Sequence, residues 1–203
     1  MLSHMIHIVT PETALTHHDL LEQAYRLRHR IFVEEKGWIP YTKPDGRERD
    51  EYDPGGSISF LAMSQGRVAG CARLVPGGGM MIITEEKLAA LTSRPQFCGL
   101  GRFCVDTEIR GGTKIKNLAS ALILSLLGYA LENDIPEIFC ETDPNFLVLL
   151  RLLGLRVEFV GKPMPYYGHT VLMGIIDVTE EGLETCRNRL NINAPHLGER
   201  MAV

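Results

Sequence analysis

The middle of the chain constrains the fold most. An apolar run, F-C-G-L-G-R-F-C-V at 97–105, leads through a glycine-containing turn into a long helical stretch at 114–132 and then a short apolar run at 137–141. Apolar residues recur every three to four positions along the helical stretch, at Ile115, Leu118, Ala119, Leu122, Leu126 and Tyr129. This pattern predicts a strand, an amphipathic helix and a second strand.

Further strands and helices are expected before and after this segment of the sequence. Residues 57–63 and 67–75 are expected to be two strands on either side of Gln65-Gly66, which predicts a hairpin with a tight turn. Strands are also expected at 6–9, 155–160 and 170–176, and helices from Thr16 or Asp19 to about Glu35, then at 85–91, 144–153 and 180–190. We therefore expect an α/β protein, one domain over residues 1–203, with a mixed sheet and helices on both of its faces.

Composition narrows the class of protein. The net charge is -4, so nothing in the overall charge favours nucleic acid as a partner. The five cysteines contain no C-x-x-C pair and are expected to be buried free thiols in a cytoplasmic protein, without a metal site. Residues 118–131 form the longest apolar run, which is too short for a membrane span.

A binding segment is expected at 24–53. Arg28 and Phe32 lie four residues apart and share one helix face, and the chain's only tryptophan, Trp38, follows. A loop at 37–56 then brings carboxylates at Glu48, Asp50 and Asp53. This set suits a zwitterion with an extra positive centre, while a solvated charged loop with Trp38 filling the core is the alternative. The loop's length and glycines indicate a mobile flap that substrate would order.

The turn at 105–114 is a candidate anion site. Free backbone N–H groups at a helix N-terminus, with Arg110, Gly111, Gly112 and Lys114 beside them, could hold a phosphate. The turn resembles the V-x-x-x-x-R-G-x-G loop of GCN5-related acyltransferases, although Thr113 and Lys114 replace its second glycine turn. An ordinary strand-to-helix turn is the alternative.

The whole pattern resembles the acyl-homoserine-lactone synthases. The shared features are R-x-x-x-F-x-x-x-x-x-W (Arg28, Phe32, Trp38), E-x-D-x-x-D (Glu48, Asp50, Asp53), G-C-A-R-L-V-P with Arg73, Arg102-Phe103, Thr142 and L-L-R-L-L-G. The resemblance implies a GCN5-like fold whose substrates are S-adenosylmethionine and an acyl thioester on acyl carrier protein or coenzyme A. It implies no metal and no tightly bound cofactor.

One strand departs from the family. Where the family usually has E-x-S-R-F, this chain has Gly99-Leu100-Gly101-Arg102-Phe103, so the glutamate assigned to the amine is absent. Another group could substitute for it, the substrates could differ, or activity could be reduced. A coenzyme A-dependent N-acyltransferase acting on another amine, and a non-catalytic ligand-binding homologue, therefore remain alternatives.

The resemblance also implies residue roles. Arg28, Phe32 and Trp38 would shape the methionine side of the site, and Asp50 and Asp53 would hold its cationic end or order the loop. Arg73 and Arg102 are expected to pair with these carboxylates. Arg102, Phe103 and Asp50 are the candidate catalytic residues, with an oxyanion site on backbone N–H groups at 102–104. The candidates for the acyl tunnel are Thr142, Phe146 and Leu149, and Lys114 and Lys116 could meet a carrier protein.

Overall fold

A computed structural model describes residues 6–38, 43–79, 84–94, 96–109 and 113–191. Its strands are β1 (Ile6–Val9), β2 (Ile58–Ser64), β3 (Arg67–Pro76), β4 (Cys98–Val105), β5 (Glu137–Thr142), β6 (Val157–Tyr166) and β7 (His169–Asp177). Its α-helices are α1 (His18–Arg28), α2 (Glu85–Thr92), α3 (Thr113–Glu132), α4 (Pro144–Leu152) and α5 (Glu180–Leu190). The strands form a mixed sheet in the order β1-β2-β3-β4-β5-β7-β6, which confirms the predicted α/β class.

The chain folds into two compact units. The first contains the described residues up to Leu74 together with Arg102–Leu126. The second contains Val75–Gly101 and the described residues from Leu127 onward. Because β4 extends from 98 to 105, its residues belong to both units.

An antiparallel β1-β2-β3 arrangement characterises the first unit. The β2–β3 hairpin turns at Gln65 and Gly66, whose φ angles of 52° and 76° are left-handed, as the predicted tight turn requires. Its core joins α1 to the strands through buried residues that include Leu21, Ala24, Leu61 and Val68. The apolar stripe of α1 therefore faces a core, as its periodicity predicts.

The first helix differs from its prediction at both ends. Its N-cap is His17, which makes no side-chain capping hydrogen bond, so the prediction that Thr16 or Asp19 caps the helix is wrong. The Thr16 hydroxyl instead donates to the Thr13 carbonyl at 2.8 Å. After Arg28 the chain continues as a π-helix over His29–Glu35, so the predicted helical extent is confirmed but its hydrogen-bond pattern changes.

In the second unit the sheet combines parallel and antiparallel pairs. β4 pairs parallel with β5 from Cys98–Ile138 to Leu100–Cys140, and β7 lies antiparallel between β5 and β6. The start of α4 follows from sequence, because the Asp143 carboxylate accepts from the Asn145 N–H at 2.7 Å and Pro144 needs no N–H partner in the first turn.

The structure also describes the burial of the cysteines and the length of the helices. All five cysteines are buried free thiols, as predicted. In the part of the chain that the structure describes, no helix has the length and apolar character needed to cross a membrane.

Candidate functional site

Arg28 is the centre of a buried ion network in the first unit. Its Nε donates to Glu48 Oε2 at 2.5 Å. Its two terminal nitrogens donate to the two oxygens of Asp53, at 3.1 and 2.8 Å. α1 thus holds two acidic residues of the loop at 37–56, through the planar fork geometry that arginine provides.

Two arginines on strands complete the network. Arg73 on β3 donates to both oxygens of Asp50, at 2.7 and 2.6 Å, and to Asp53 Oδ2 at 2.9 Å. Arg102 on β4 contacts Glu48 Oε1 at 2.9 Å and Asp50 Oδ2 at 3.0 Å. Each carboxylate is therefore shared by two arginines, and the six formal charges cancel.

Burial and pairing fix the charge state of the network. Burial alone would raise the pKa of Asp50, but the hydrogen bonds and positive charge of Arg73, with Arg102, lower that pKa to about 2. Burial opposes ionisation of Glu48 as well, and the charges of Arg28 and Arg102 nevertheless lower its pKa. These carboxylates are consequently ionised at neutral pH and act as poor proton acceptors.

The backbone at Arg102 has an unusual conformation. Its φ is 55°, in the left-handed region that residues with a side chain rarely adopt. The preceding residue is Gly101, and a methyl group built there would meet no heavy atom within 4 Å among the described residues. Arg102 therefore interrupts the regular extended conformation of β4.

Phe32 and Trp38 stack on each other next to the network's helix. Their ring centroids are 5.0 Å apart and their planes differ by 14°. Lys36 Nζ lies 5.4 Å from the Phe32 centroid and 5.5 Å from the Trp38 centroid. Phe32 is buried in the core and Trp38 packs against it, so this pair has a packing role in addition to any role in binding.

Tyr25 also borders the network, although no sequence motif marks it as a site residue. Its hydroxyl is buried and has no hydrogen-bond partner among the described residues. Burial, followed by the charge of Asp53, raises the pKa of Tyr25 to about 12. The signal was available, because Tyr25 precedes Arg28 by three residues and so lies on the same helix face.

An open cleft of about 670 Å³ lies on the loop that carries the carboxylates. Its lining residues are Lys43, Pro44, Asp45, Arg49, Asp50, Glu51 and Asp53. The cleft therefore presents charges of both signs, beside two carboxylates that arginines already hold.

Asp106, a buried carboxylate outside the network, holds the turn after β4. Asp106 accepts from Arg67 Nη1 at 2.7 Å, from the Glu108 N–H at 3.0 Å and from Arg30 Nη2 at 2.5 Å. The Thr107 hydroxyl also donates to Glu35 Oε1 at 2.6 Å. These contacts tie the turn to the π-helical end of the first helix.

The remaining predicted site residues fall into three groups. Phe103 is half-buried on β4, and Thr142 and Phe146 are half-buried on β5 and α4 of the second unit, whereas Leu149 is 45% exposed. Arg110, Gly111 and Gly112 lie outside the described residues. Lys114 and Lys116 belong to the first turn of α3, but their side chains are not described.

The chain is similar in sequence to homoserine-lactone synthases. The chain is 28% identical over 193 residues to isovaleryl-homoserine lactone synthase from Bradyrhizobium diazoefficiens, covering 93% of this chain and 86% of that protein. It is 31% identical over 176 residues to an acyl-homoserine-lactone synthase from Rhizobium radiobacter, covering 82% of each.

Solved structures of acyl-homoserine lactone synthases have a similar fold. The fold matches a CoA-dependent acyl-homoserine lactone synthase, BjaI, solved with SAM and isopentyl-CoA, with a TM-score of 0.80, 27% identity and coverage of 94% and 91% of the two chains. A second CoA-dependent synthase, MesI, matches with a TM-score of 0.81 and 26% identity over 96% and 99%. The autoinducer synthase family model matches residues 12–186, and the chain belongs to the autoinducer synthase family, a family of acyltransferases.

Proposed function

We propose that this protein synthesises acyl-homoserine lactones from S-adenosylmethionine and an acyl thioester, as a quorum-sensing autoinducer synthase. The observation that carries the proposal is the closed network of Arg28, Glu48, Asp50, Asp53, Arg73 and Arg102, built from the residues of the family pattern. The match to the family over residues 12–186 supports the same function.

The reaction has two steps. The neutral amine nitrogen of S-adenosylmethionine attacks the thioester carbonyl and an N–C bond forms. The C–S bond then breaks, and the proton lost from the nitrogen leaves with the sulfur as the free thiol. Backbone N–H groups at 102–104 would stabilise the oxyanion. The methionine carboxylate then attacks the carbon bonded to the sulfonium, which closes the lactone and releases methylthioadenosine.

The ion network prepares the site for this chemistry. Its carboxylates are paired with arginines, so its role is to fix the loop that carries Glu48, Asp50 and Asp53 against α1, β3 and β4. Trp38, which is half-buried and stacks on Phe32, supplies aromatic surface suited to an onium group. This division assigns the network to preorganisation and leaves recognition of the substrate to Trp38 and the open cleft.

The amine does not require a strong base. An α-amine with a pKa of about 7.7–8.0 is about one tenth neutral at pH 7, so deprotonation needs only about 1 kcal/mol. Gly99 is thus compatible with turnover, provided that the amine is held in the correct orientation.

Coenzyme A is the proposed carrier of the acyl group. The support is that two structural relatives above 25% identity, BjaI and MesI, are named as CoA-dependent synthases. Acyl carrier protein is the competing donor, for which Lys114 and Lys116 would offer positive charge on the first turn of α3.

The test supplies S-adenosylmethionine with matched acyl-CoA and acyl-carrier-protein donors and detects products by mass spectrometry. We expect methylthioadenosine and lactone in equal amounts with acyl-CoA. Free thiol without methylthioadenosine would indicate an N-acyltransferase acting on another amine. Ligand-induced stabilisation without any product would indicate a binding homologue.

A variant with Gly99→Glu examines the departure from the family strand. A large gain in kcat would indicate that the present chain is a weakened synthase. An unchanged kcat would indicate that another feature of the site already orients the amine.

A further inference from the structure

Lys36 places a positive charge beside the tryptophan that the proposed function assigns to the substrate. Its Nζ lies 5.4 Å from the Phe32 centroid and 5.5 Å from the Trp38 centroid, within the range of a cation–π contact. Phe32 is buried, whereas Trp38 is half-buried and Lys36 is exposed. A ligand that reaches the stacked rings from solvent therefore meets Trp38 and the lysine ammonium together.

The chain geometry at the end of the π-helix explains this arrangement. The Lys36 N–H donates to the Ile31 carbonyl at 3.1 Å, and the Trp38 N–H donates to the Phe32 carbonyl at 2.9 Å. Gly37 between them has a φ of 70°, in the left-handed region that glycine adopts without strain. The turn thus brings the residues on both sides of Gly37 back to Phe32. The C-terminal end of a helix also attracts a cation, which favours the lysine at this position.

The ammonium of Lys36 and the sulfonium of S-adenosylmethionine would compete at Trp38. Both are cations, and the same negative ring surface attracts both of them. Two like charges beside one ring also repel each other, by a moderate amount because Lys36 is exposed to solvent. Other contacts of the ammonium change the size of this effect and not its sign.

The charge on sulfur changes during the proposed reaction. In the lactone-forming step the carboxylate oxygen bonds to the carbon next to sulfur, and the electron pair of the broken C–S bond stays on sulfur. The sulfonium becomes the neutral thioether of methylthioadenosine. Repulsion from Lys36 thus acts on the bound substrate and vanishes in the product. A penalty on the ground state that fades towards the product lowers the barrier of this step.

We propose that Lys36 is a specificity-determining residue for the sulfur centre of the substrate. Its ammonium weakens the binding of a sulfonium relative to a thioether and favours departure of the neutral thioether. The inference rests on the proposed function and extends it to a residue at an unspecified position of the R-x-x-x-F-x-x-x-x-x-W pattern.

Binding of S-adenosylmethionine and S-adenosylhomocysteine tests the proposal, because the two ligands differ only by one methyl group and the charge on sulfur. Trp38 is the chain's only tryptophan, so its fluorescence reports binding at this position, and calorimetry measures the affinity without turnover. We expect Lys36→Met to bind the sulfonium about three- to tenfold more tightly than the wild type. Its affinity for the thioether should stay within about twofold of the wild type.

Two further variants separate the charge of Lys36 from its packing. Lys36→Arg keeps a cation that also stacks on aromatic rings, so the ratio of the two affinities should stay within about twofold of the wild type. Lys162→Met removes the same charge from an exposed position on β6, and we expect it to leave both affinities unchanged.

The second readout isolates the lactone-forming step. N-acyl-S-adenosylmethionine is supplied directly under single-turnover conditions, and release of methylthioadenosine is followed. We expect Lys36→Met to bind this sulfonium more tightly and to release methylthioadenosine about threefold more slowly, because the penalty on the ground state has been removed. A structural role alone would weaken binding and slow release together.

Two results would overturn the role of Lys36. One is a Lys36→Met variant with the wild-type ratio of affinities for the sulfonium and the thioether. The other is a lactone-forming step that is as fast in Lys36→Met as in the wild type, or faster. Absence of lactone with every acyl donor would instead contradict the proposed function, and the ratio of affinities would still decide whether Lys36 sets the specificity.

Discussion

The ion network of the first unit and the Lys87–Glu141 pair of the second unit solve the problem of buried charge differently. In the network, each of three carboxylates contacts two arginines, so each charge has more than one partner. In the pair, one flexible ammonium meets one carboxylate. Shared partners make the network a fixed scaffold, whereas the pair joins one helix, α2, to one strand, β5.

The largest expected effect comes from removing one arginine of the network. Arg28→Met leaves Glu48 and Asp53 with one cation each and gives the buried cluster a net negative charge, so we expect a loss of about 3–5 kcal/mol in the free energy of unfolding. Urea denaturation measures it. Arg26→Met on the exposed side of α1 is the control, with an expected change within about 0.5 kcal/mol. A loss below about 1 kcal/mol for Arg28→Met would show that the network contributes little.

Replacing a whole pair sharpens the comparison. Arg73→Met with Asp50→Leu should lose about 2–4 kcal/mol, because Asp53 and Arg102 each lose a charged hydrogen bond. Lys87→Met with Glu141→Leu should remain within about 1 kcal/mol of the wild type, because both charges of the pair are removed together. Equal losses in the two double variants would contradict the distinction between the network and the pair.

Acid should weaken the network through Asp50. Its pKa is lowered from 3.8 to about 2 in the folded protein, so its contribution is present above about pH 4 and is lost as the pH falls towards 2. This shift corresponds to at most about 2 kcal/mol, because solvent screens part of the interaction. Asp50→Asn should therefore be less stable than the wild type at pH 6, and the difference should narrow by about that amount near pH 2. The same stability difference between the wild type and Asp50→Asn at pH 6 and at pH 2 would show that Asp50 is not the source of the acid sensitivity.

The smallest expected effect is a gain in stability. Tyr25→Phe removes a buried hydroxyl that has no hydrogen-bond partner among the described residues, so we expect a gain of about 1 kcal/mol. The control is Tyr167→Phe at an exposed turn, with no measurable change expected. A loss of stability in Tyr25→Phe would reveal a role for the hydroxyl in the network.

Local sequence patterns predicted most of the strands and helices, but not the strand bounds that depend on neighbouring strands. The third predicted strand after α3 was expected to begin at 170, and β7 begins at His169. The strand expected at 155–160 continues as β6 to Tyr166, beyond Gly161 and two prolines. β6 is the last strand in the sheet order, and an edge strand tolerates prolines because part of its N–H groups need no partner.

The same limit applies to the candidate site. Glu48, Asp50 and Asp53 were selected from their spacing, as were Arg28, Arg73 and Arg102. The sequence left open whether the carboxylates hold the substrate's cation or order the loop, and in the structure they contact the three arginines. Which carboxylate meets which arginine depends on the path of the loop, and spacing does not determine that path.

The sequence by itself determined the order of strands and helices, the family and the residues of the network, because periodicity and motif spacing are local properties of the chain. Only the tertiary structure decided that each carboxylate of the network meets two arginines. It alone brought Lys87 to Glu141. Charges distant in sequence become partners only when burial removes their water, and that depends on how the sheet and its helices pack.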